Sequence, residues 1–274
     1  MNKINKRTVL VNLILSIICA NFNNNIFAGQ VMSIFSRETK NQESNQTTLE
    51  TPSGLPRKIG EMTCYFNTLF QILHMDDNFR EYIAQKASTN ELFGLIDEIF
   101  LYMDANIIVP EDKYHLLVEF IIPDINSQKD PEQAVKYIKD VFVDINDDSV
   151  PTPEMIPLDP LDGFGEGVKI IENTQPDKNC KSCLYNWDRS NAEPKNYDMN
   201  LPIEVVNKSG QTMKLTAIVV FEGESGTSGH FCLLKFRDNF WWKCNDSKVE
   251  KLDKNSMNWD KIGTEACMAY YQII

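Results

Sequence analysis

Positive charge is scarce in this chain of 274 residues: 27 lysines and arginines stand against 39 aspartates and glutamates, for a formal net charge of -12. A chain this acidic repels a phosphate backbone, which excludes nucleic-acid binding driven by counterion release and suits a basic partner better. Cysteine is sparse too, with seven in the whole chain, far below the density of a disulfide-stapled miniprotein. Histidine is rarer still, at three, so candidates for an imidazole base are few. Beyond the N-terminal segment no run reaches the ~20 apolar residues of a membrane-spanning helix. There is no internal repeat. What is present is an ordinary globular composition, 42% hydrophobic and 24% charged, able to bury a real core. The length suits one large domain, or two of about 150 residues each.

The N-terminus reads as an address. Lys3, Lys6 and Arg7 form a basic head, and Thr8 to Ala20 is an apolar run too short to span a bilayer comfortably. Ile26-Phe27-Ala28 before Gly29 ends on a small residue suited to cleavage. Residues 1–28 are therefore expected to be a signal peptide, with an uncleaved anchor as the alternative. The expected localisation is secreted, and no stable membrane span is expected in the mature chain. Residues 29–53 are polar and unpatterned, which predicts a disordered linker. A single folded domain is expected over 54–274.

Periodicity begins after that linker. Phe66, Leu69, Phe70 and Leu73 recur at helical spacing from Cys64 onward, as do Leu92, Leu95, Ile96, Ile99 and Phe100 within Glu91–Asp104. Glu111–Ile121 is a third, shorter helical stretch. Asp130-Pro-Glu-Gln133 has the form of an N-cap, a proline at the first helical position and a capping-box glutamine. Residues 144–166, rich in Asp and Pro, predict an acidic loop. Short β-type runs follow at Val168–Ile171, Leu201–Val206, Met213–Glu222, Phe231–Phe236, Phe240–Cys244 and Ala266–Ile274, separated by turn residues such as Asp238-Asn239. Helices first and an antiparallel sheet afterwards predict an α+β fold.

Cys64 opens the first amphipathic helix, where free N–H groups and the helix dipole favour negative charge on sulfur, and the thiolate is the nucleophile. Taken alone, a cysteine is more often a buried apolar residue, but its neighbours weigh against that reading. Gly60-Glu-Met-Thr-Cys64-Tyr-Phe-Asn67-Thr-Leu-Phe-Gln71 resembles the cysteine box of the ubiquitin-specific proteases, and Gly54-Leu55 resembles the pair that opens their domain. Downstream, Gly229-His230-Phe and Trp241-Trp-Lys-Cys-Asn245-Asp246-Ser-Lys-Val249 are similar to their histidine box, and Glu265–Ile274 resembles their closing strand. Boxes in the right order form a far more specific signal than a lone motif.

The resemblance implies a papain-like cysteine protease fold over 54–274, with an N-terminal helical lobe followed by a C-terminal antiparallel β lobe. It implies a Cys-His-Asn triad of Cys64, His230 and Asn245, with Asp246 as the alternative orienter, and substrate contacts from Gln71, Gly229 and Trp241. The residues support the triad independently. His230 opens one β-run and Asn245 closes the next, so a hairpin sets them side by side and the amide can fix the imidazole tautomer. His74 and His115 lie within helical patterns and read as structural or exposed.

The implied function is a deubiquitinating thiol hydrolase that cleaves after the C-terminal Gly of ubiquitin or a ubiquitin-like protein, with such conjugates as partners and no cofactor. The family's oxyanion-donating Asn, about five residues before the cysteine, is Ile59 here, and the loop between Gly54 and Cys64 carries extra residues. That departure keeps open a weak or inactive ubiquitin-binding pseudoprotease. A papain-like peptidase with a non-ubiquitin substrate is the third reading. Cys180-Lys-Ser-Cys183 is one CxxC where the family has two pairs around a structural zinc; a tetrahedral site needs four ligands, so no metal is expected. Because ubiquitin conjugates are cytosolic, an exported chain of this kind is reconciled with them as a bacterial effector released towards host cells.

Overall fold

Every side chain from Cys64 to His74 in helix α1 (Cys64–Met75) is buried. A helix that is covered all round must lie between two layers. Helices α2 (Asp77–Lys86), α3 (Glu91–Asp104), α4 (Glu111–Ile121) and α5 (Pro131–Asp144) supply the first layer, and a sheet supplies the second. The computed structural model describes residues 51–57, 62–123, 131–144, 151–158, 175–187, 201–225, 228–253, 255 and 257–273. Phe70 of α1 is the centre of the helical packing, 5.1 Å from the Phe100 ring and 6.2 Å from that of Tyr114. Aromatic pairs at such tilted geometries add to the burial of their area.

The strands are β1 (Glu154–Leu158), β2 (Ser182–Trp187), β3 (Glu204–Val206), β4 (Thr212–Ser225), β5 (Ser228–Arg237), β6 (Phe240–Asn245), β7 (Lys248–Leu252) and β8 (Ala266–Gln272), with helix α6 (Trp259–Glu265) before the last. Their order is β1-β2-β8-β4-β5-β6-β7, with β3 also on β4. Side chains alternate between faces. Leu233, Cys244, Met268 and Tyr270 turn to the helices, while Leu234, Trp241, Ala269 and Tyr271 form a second core on the far face. Among the described residues no helix is long and apolar enough to cross a membrane.

The fold is α+β, as expected, with informative departures. The sheet is mixed rather than purely antiparallel, because β1 runs parallel to β2. β1 also lies inside the stretch read as a loop over 144–166. Pro157 is tolerated there because β1 is an edge strand, where a missing N–H breaks no ladder. Helices α2 and α6 and strands β2 and β7 go beyond the expected elements. The expected strand at Val168–Ile171 and residues 1–50 lie outside the described residues. At the end of the expected linker, Pro52 and Ser53 are already buried, and Ser53 Oγ donates to the Ile107 carbonyl at 2.6 Å. The turn at Asp238-Asn239 appears as expected, with positive φ of 53° and 67°, the signature of a two-residue hairpin turn.

Asp76 ties the layers together. Its carboxylate caps α2 by accepting from Phe79 N at 3.0 Å, and it also accepts from Ser182 Oγ of β2 and from Tyr270 Oη of β8 at 3.0 Å. Asp76→Ala is expected to lower unfolding stability by about 2–4 kcal/mol, since it removes a cap, takes the carboxylate acceptor from the buried Ser182 hydroxyl and leaves Tyr270 Oη only its 3.2 Å contact with Gln272 Oε1. Urea unfolding checks this; a loss comparable to that of a surface substitution would contradict the role.

Candidate active site

Cys64 is the first residue of α1 and is 2% exposed. No acidic side chain occupies the first turn, and Thr63 makes no side-chain cap. The free N–H groups of that turn are thus left to polarise whatever negative charge develops on Sγ. Thr63 Oγ1 beside it is buried with no hydrogen-bond partner among the described residues.

His230 and Asn245 reach each other through the β5–β6 hairpin. The register pairs Leu233 with Cys244, so His230 and Asn245 stand at the same end of neighbouring strands. His230 Nε2 lies 2.7 Å from Asn245 Oδ1. An amide oxygen only accepts, so the proton is assigned to Nε2 and the lone pair to Nδ1, the nitrogen that can act as base. The carboxylate of Asp246 is farther from Nε2, at 3.7 Å. The Cys232 thiol, then the Cys64 thiol and its charge, hold the His230 pKa up at about 10 against burial, with Asn245 adding to them.

Asp246 organises the floor of the site. Its φ is 50°, a backbone state that Asp and Asn tolerate better than most residues. Its Oδ1 accepts from Asn67 Nδ2 at 2.6 Å, and the Asn67 Oδ1 accepts from Tyr114 Oη of α4. Its Oδ2 faces Arg57 at 3.2 Å, and the same guanidinium nitrogen is 3.2 Å from His230 Nδ1. Gly54 is obligatory for this approach: an added Cβ would fall 2.5 Å from the Asp246 carbonyl oxygen. Leu55 N then donates to that oxygen at 3.0 Å.

Cys64, His230, Asn245 and Asp246 are therefore brought to one place, and the three other expected site residues are differently situated. Gln71 was expected at the substrate; it is 1% exposed and accepts from the buried Lys235 Nζ at 2.9 Å. Burial pushes the Lys235 amine below its usual pKa, and the amide oxygen is what keeps that amine from being stranded. Trp241 was expected to line the cleft, but it lies in the core on the far face of the sheet, against Phe236 and Trp259. Gly229 does precede His230, but the Phe221 ring covers it, 2.1 Å from where a Cβ would stand. His74 is buried against Asp104 at 3.0 Å, and His115 lies beside Glu111, consistent with structural roles.

Arg57, Asn67 and Tyr114 carry the missed part of the site. Asn67 stood inside the cysteine box, but nothing in the sequence linked Arg57 to a turn 189 positions away. For a metal, Cys183 is fully buried and Cys180 half-buried, and no group of three or more His, Cys, Asp or Glu side chains among the described residues could hold an ion. Among the described residues the four ligands of a tetrahedral zinc site are not assembled.

Solved structures share this architecture. The chain is similar to the Ubp8-Sgf11-Sgf73-Sus1 SAGA DUB module, at 14% identity and a TM-score of 0.59, covering 92% of this chain and 75% of that one. It is similar to the same module bound to monoubiquitin, at 13% identity and a TM-score of 0.58, covering 92% of this chain and 76% of that one. The module bound to ubiquitin aldehyde gives 13% identity, a TM-score of 0.55 and the same coverage of 92% and 76%. Among curated protein sequences none matches the chain. The family described as "Ubiquitin carboxyl-terminal hydrolase" matches residues 133–271, just over half of the chain, a span that includes His230, Asn245 and Asp246 and begins after Cys64. The chain belongs to the ubiquitin carboxyl-terminal hydrolase family, the cysteine-type deubiquitinases.

Proposed function

We propose that this protein hydrolyses peptide and isopeptide bonds after the C-terminal Gly of ubiquitin or a ubiquitin-like protein, with Cys64 as nucleophile, His230 as base and then acid, and Asn245 as its orienter. The observation that carries this reading is the His230 ring itself. Asn245 fixes its tautomer through Nε2, and the Cys64 thiol stands among its hydrogen-bonding neighbours. The similar module's structures with monoubiquitin and with ubiquitin aldehyde support the choice of partner.

The chemistry balances without a cofactor. His230 Nδ1 takes the Cys64 proton, and Sγ attacks the Gly carbonyl carbon. The C=O π pair moves to oxygen, and its return expels the amine, which takes the proton from His230. Water then adds to the thioester, giving one proton to His230; collapse expels the sulfur, which takes that proton back as the thiol, and the carboxylic acid leaves and gives its own proton to solvent. The whole chain is tested by comparing hydrolysis of a ubiquitin C-terminal fluorogenic amide with that of a short peptide amide of the same last residues. Efficient turnover of the ubiquitin substrate alone is expected. Equal turnover of the short peptide would transfer the reading to a general papain-like peptidase.

A further inference from the structure

We propose that the Arg57 guanidinium is the side-chain donor that stabilises the oxyanion formed when Cys64 attacks a carbonyl. The inference rests on the reading of Cys64 as the nucleophile, and not on the identity of the substrate. Arg57 NH1 lies 3.2 Å from His230 Nδ1, the ring nitrogen that the Asn245 contact on Nε2 leaves for the Cys64 proton. A guanidinium carries donors only. Beside a neutral ring it donates to the Nδ1 lone pair. Beside the cationic ring that lone pair is gone and two cations face each other, so the guanidinium N–H that faced it is turned to a new acceptor. As Sγ attacks, the carbonyl oxygen gains charge and becomes an acceptor of that kind.

Arg57 is also held in place. Asp246 Oδ2 anchors it at 3.2 Å, and the other carboxylate oxygen is itself held by the buried Asn67. The close seating of Gly54 on the Asp246 turn and the bond from Leu55 N to the Asp246 carbonyl fix the segment that leads to Arg57. A donor anchored in advance of the reaction needs no reorganisation when the charge appears, which is what makes oxyanion stabilisation effective. Ile59 has no side-chain donor of its own, and among the described residues Arg57 is a cation that faces the His230 Nδ1.

The test separates two reactions of one sulfur in the full chain. Acylation of Cys64 by p-nitrophenyl acetate forms an Sγ–C bond, places the carbonyl pair on oxygen and then expels p-nitrophenolate, so it passes through an oxyanion. Alkylation by iodoacetamide forms an Sγ–CH₂ bond and expels iodide with no oxyanion. Arg57→Ala is expected to slow the acylation burst by about 10²-fold relative to the alkylation rate, and Arg57→Lys to restore part of the loss. Parallel slowing of both reactions would overturn the proposal in favour of an effect on the sulfur or the fold. No change would overturn it outright, and faster acylation would make Arg57 a block on His230 instead. The expected split in a protein that fails to hydrolyse ubiquitin amides would uphold Arg57 and refute the substrate reading alone. A wild-type Cys64 that neither reagent modifies, by peptide mass mapping, would refute both.

Discussion

His230→Ala is expected to lower kcat for hydrolysis of a ubiquitin C-terminal amide by on the order of 10⁴ or more, with a smaller change in KM. The ring is the group next to Cys64 that can take a proton and give it back to the leaving amine, and both steps fail without it. The same substitution has a pH signature. The His230 pKa is raised from 6.5 to about 10, chiefly by the Cys232 and Cys64 thiols and with burial opposing. A cationic acid whose folded pKa is raised contributes stability that is fully present below about 6.5 and is lost as the pH climbs to about 10. Wild-type stability is therefore expected to fall relative to His230→Ala between pH 6.5 and 10, the pKa window set by the same shift. Urea unfolding of both proteins across that window checks it. A constant difference would mean that the folded ring is not held as the cation.

Asp246→Ala is expected to cost more than its place beside the triad suggests. The carboxylate accepts from Asn67 and Arg57, and its main-chain oxygen accepts from Leu55. Removing it strands the buried Asn67 amide, worth about 1–3 kcal/mol, and puts Ala at a φ of 50°, a further cost of about 1 kcal/mol. The Arg57 guanidinium loses its carboxylate anchor as well, while the main-chain bond from Leu55 N is kept, and a displacement of that side chain costs about 10²-fold in rate. Asp246→Asn, which tolerates the same φ and still accepts from Asn67, is expected to keep the stability and to recover only part of the rate. Circular-dichroism unfolding and steady-state kinetics on the two variants distinguish these effects. Equal rates for Asp246→Asn and the wild type would show that the negative charge on Asp246 has no part in the site.

Much of this could be read from local pattern. The α1 periodicity placed Cys64 at a helix start, and the Asp238-Asn239 turn was enough to bring His230 beside Asn245. Reading failed where a distant partner decides the outcome. Gln71 has the composition of a substrate contact until Lys235, on a strand of the opposite layer, is seen to need its oxygen. Trp241 and Trp242 point to opposite faces, and the strand sequence alone does not say which face meets the helices; Trp241 took the far one. α2 was missed because its buried contribution is only Phe79 and Ile83, too few to make a stripe, and it is set by the Asp76 cap. β1 was hidden by prolines that only an edge strand accepts. The Arg57–Asp246–Asn67–Tyr114 chain joins segments far apart in sequence, and no periodicity reports such a juxtaposition.

Covalent capture tests the central claim most directly. The folded, reduced chain would be incubated with ubiquitin carrying an electrophile at its C-terminus, and the product weighed intact and mapped. The account predicts a single adduct of ubiquitin mass on Cys64, absent from Cys64→Ala and slowed in His230→Ala. No adduct, or an adduct on Cys180 or another cysteine that persists in Cys64→Ala, would contradict it.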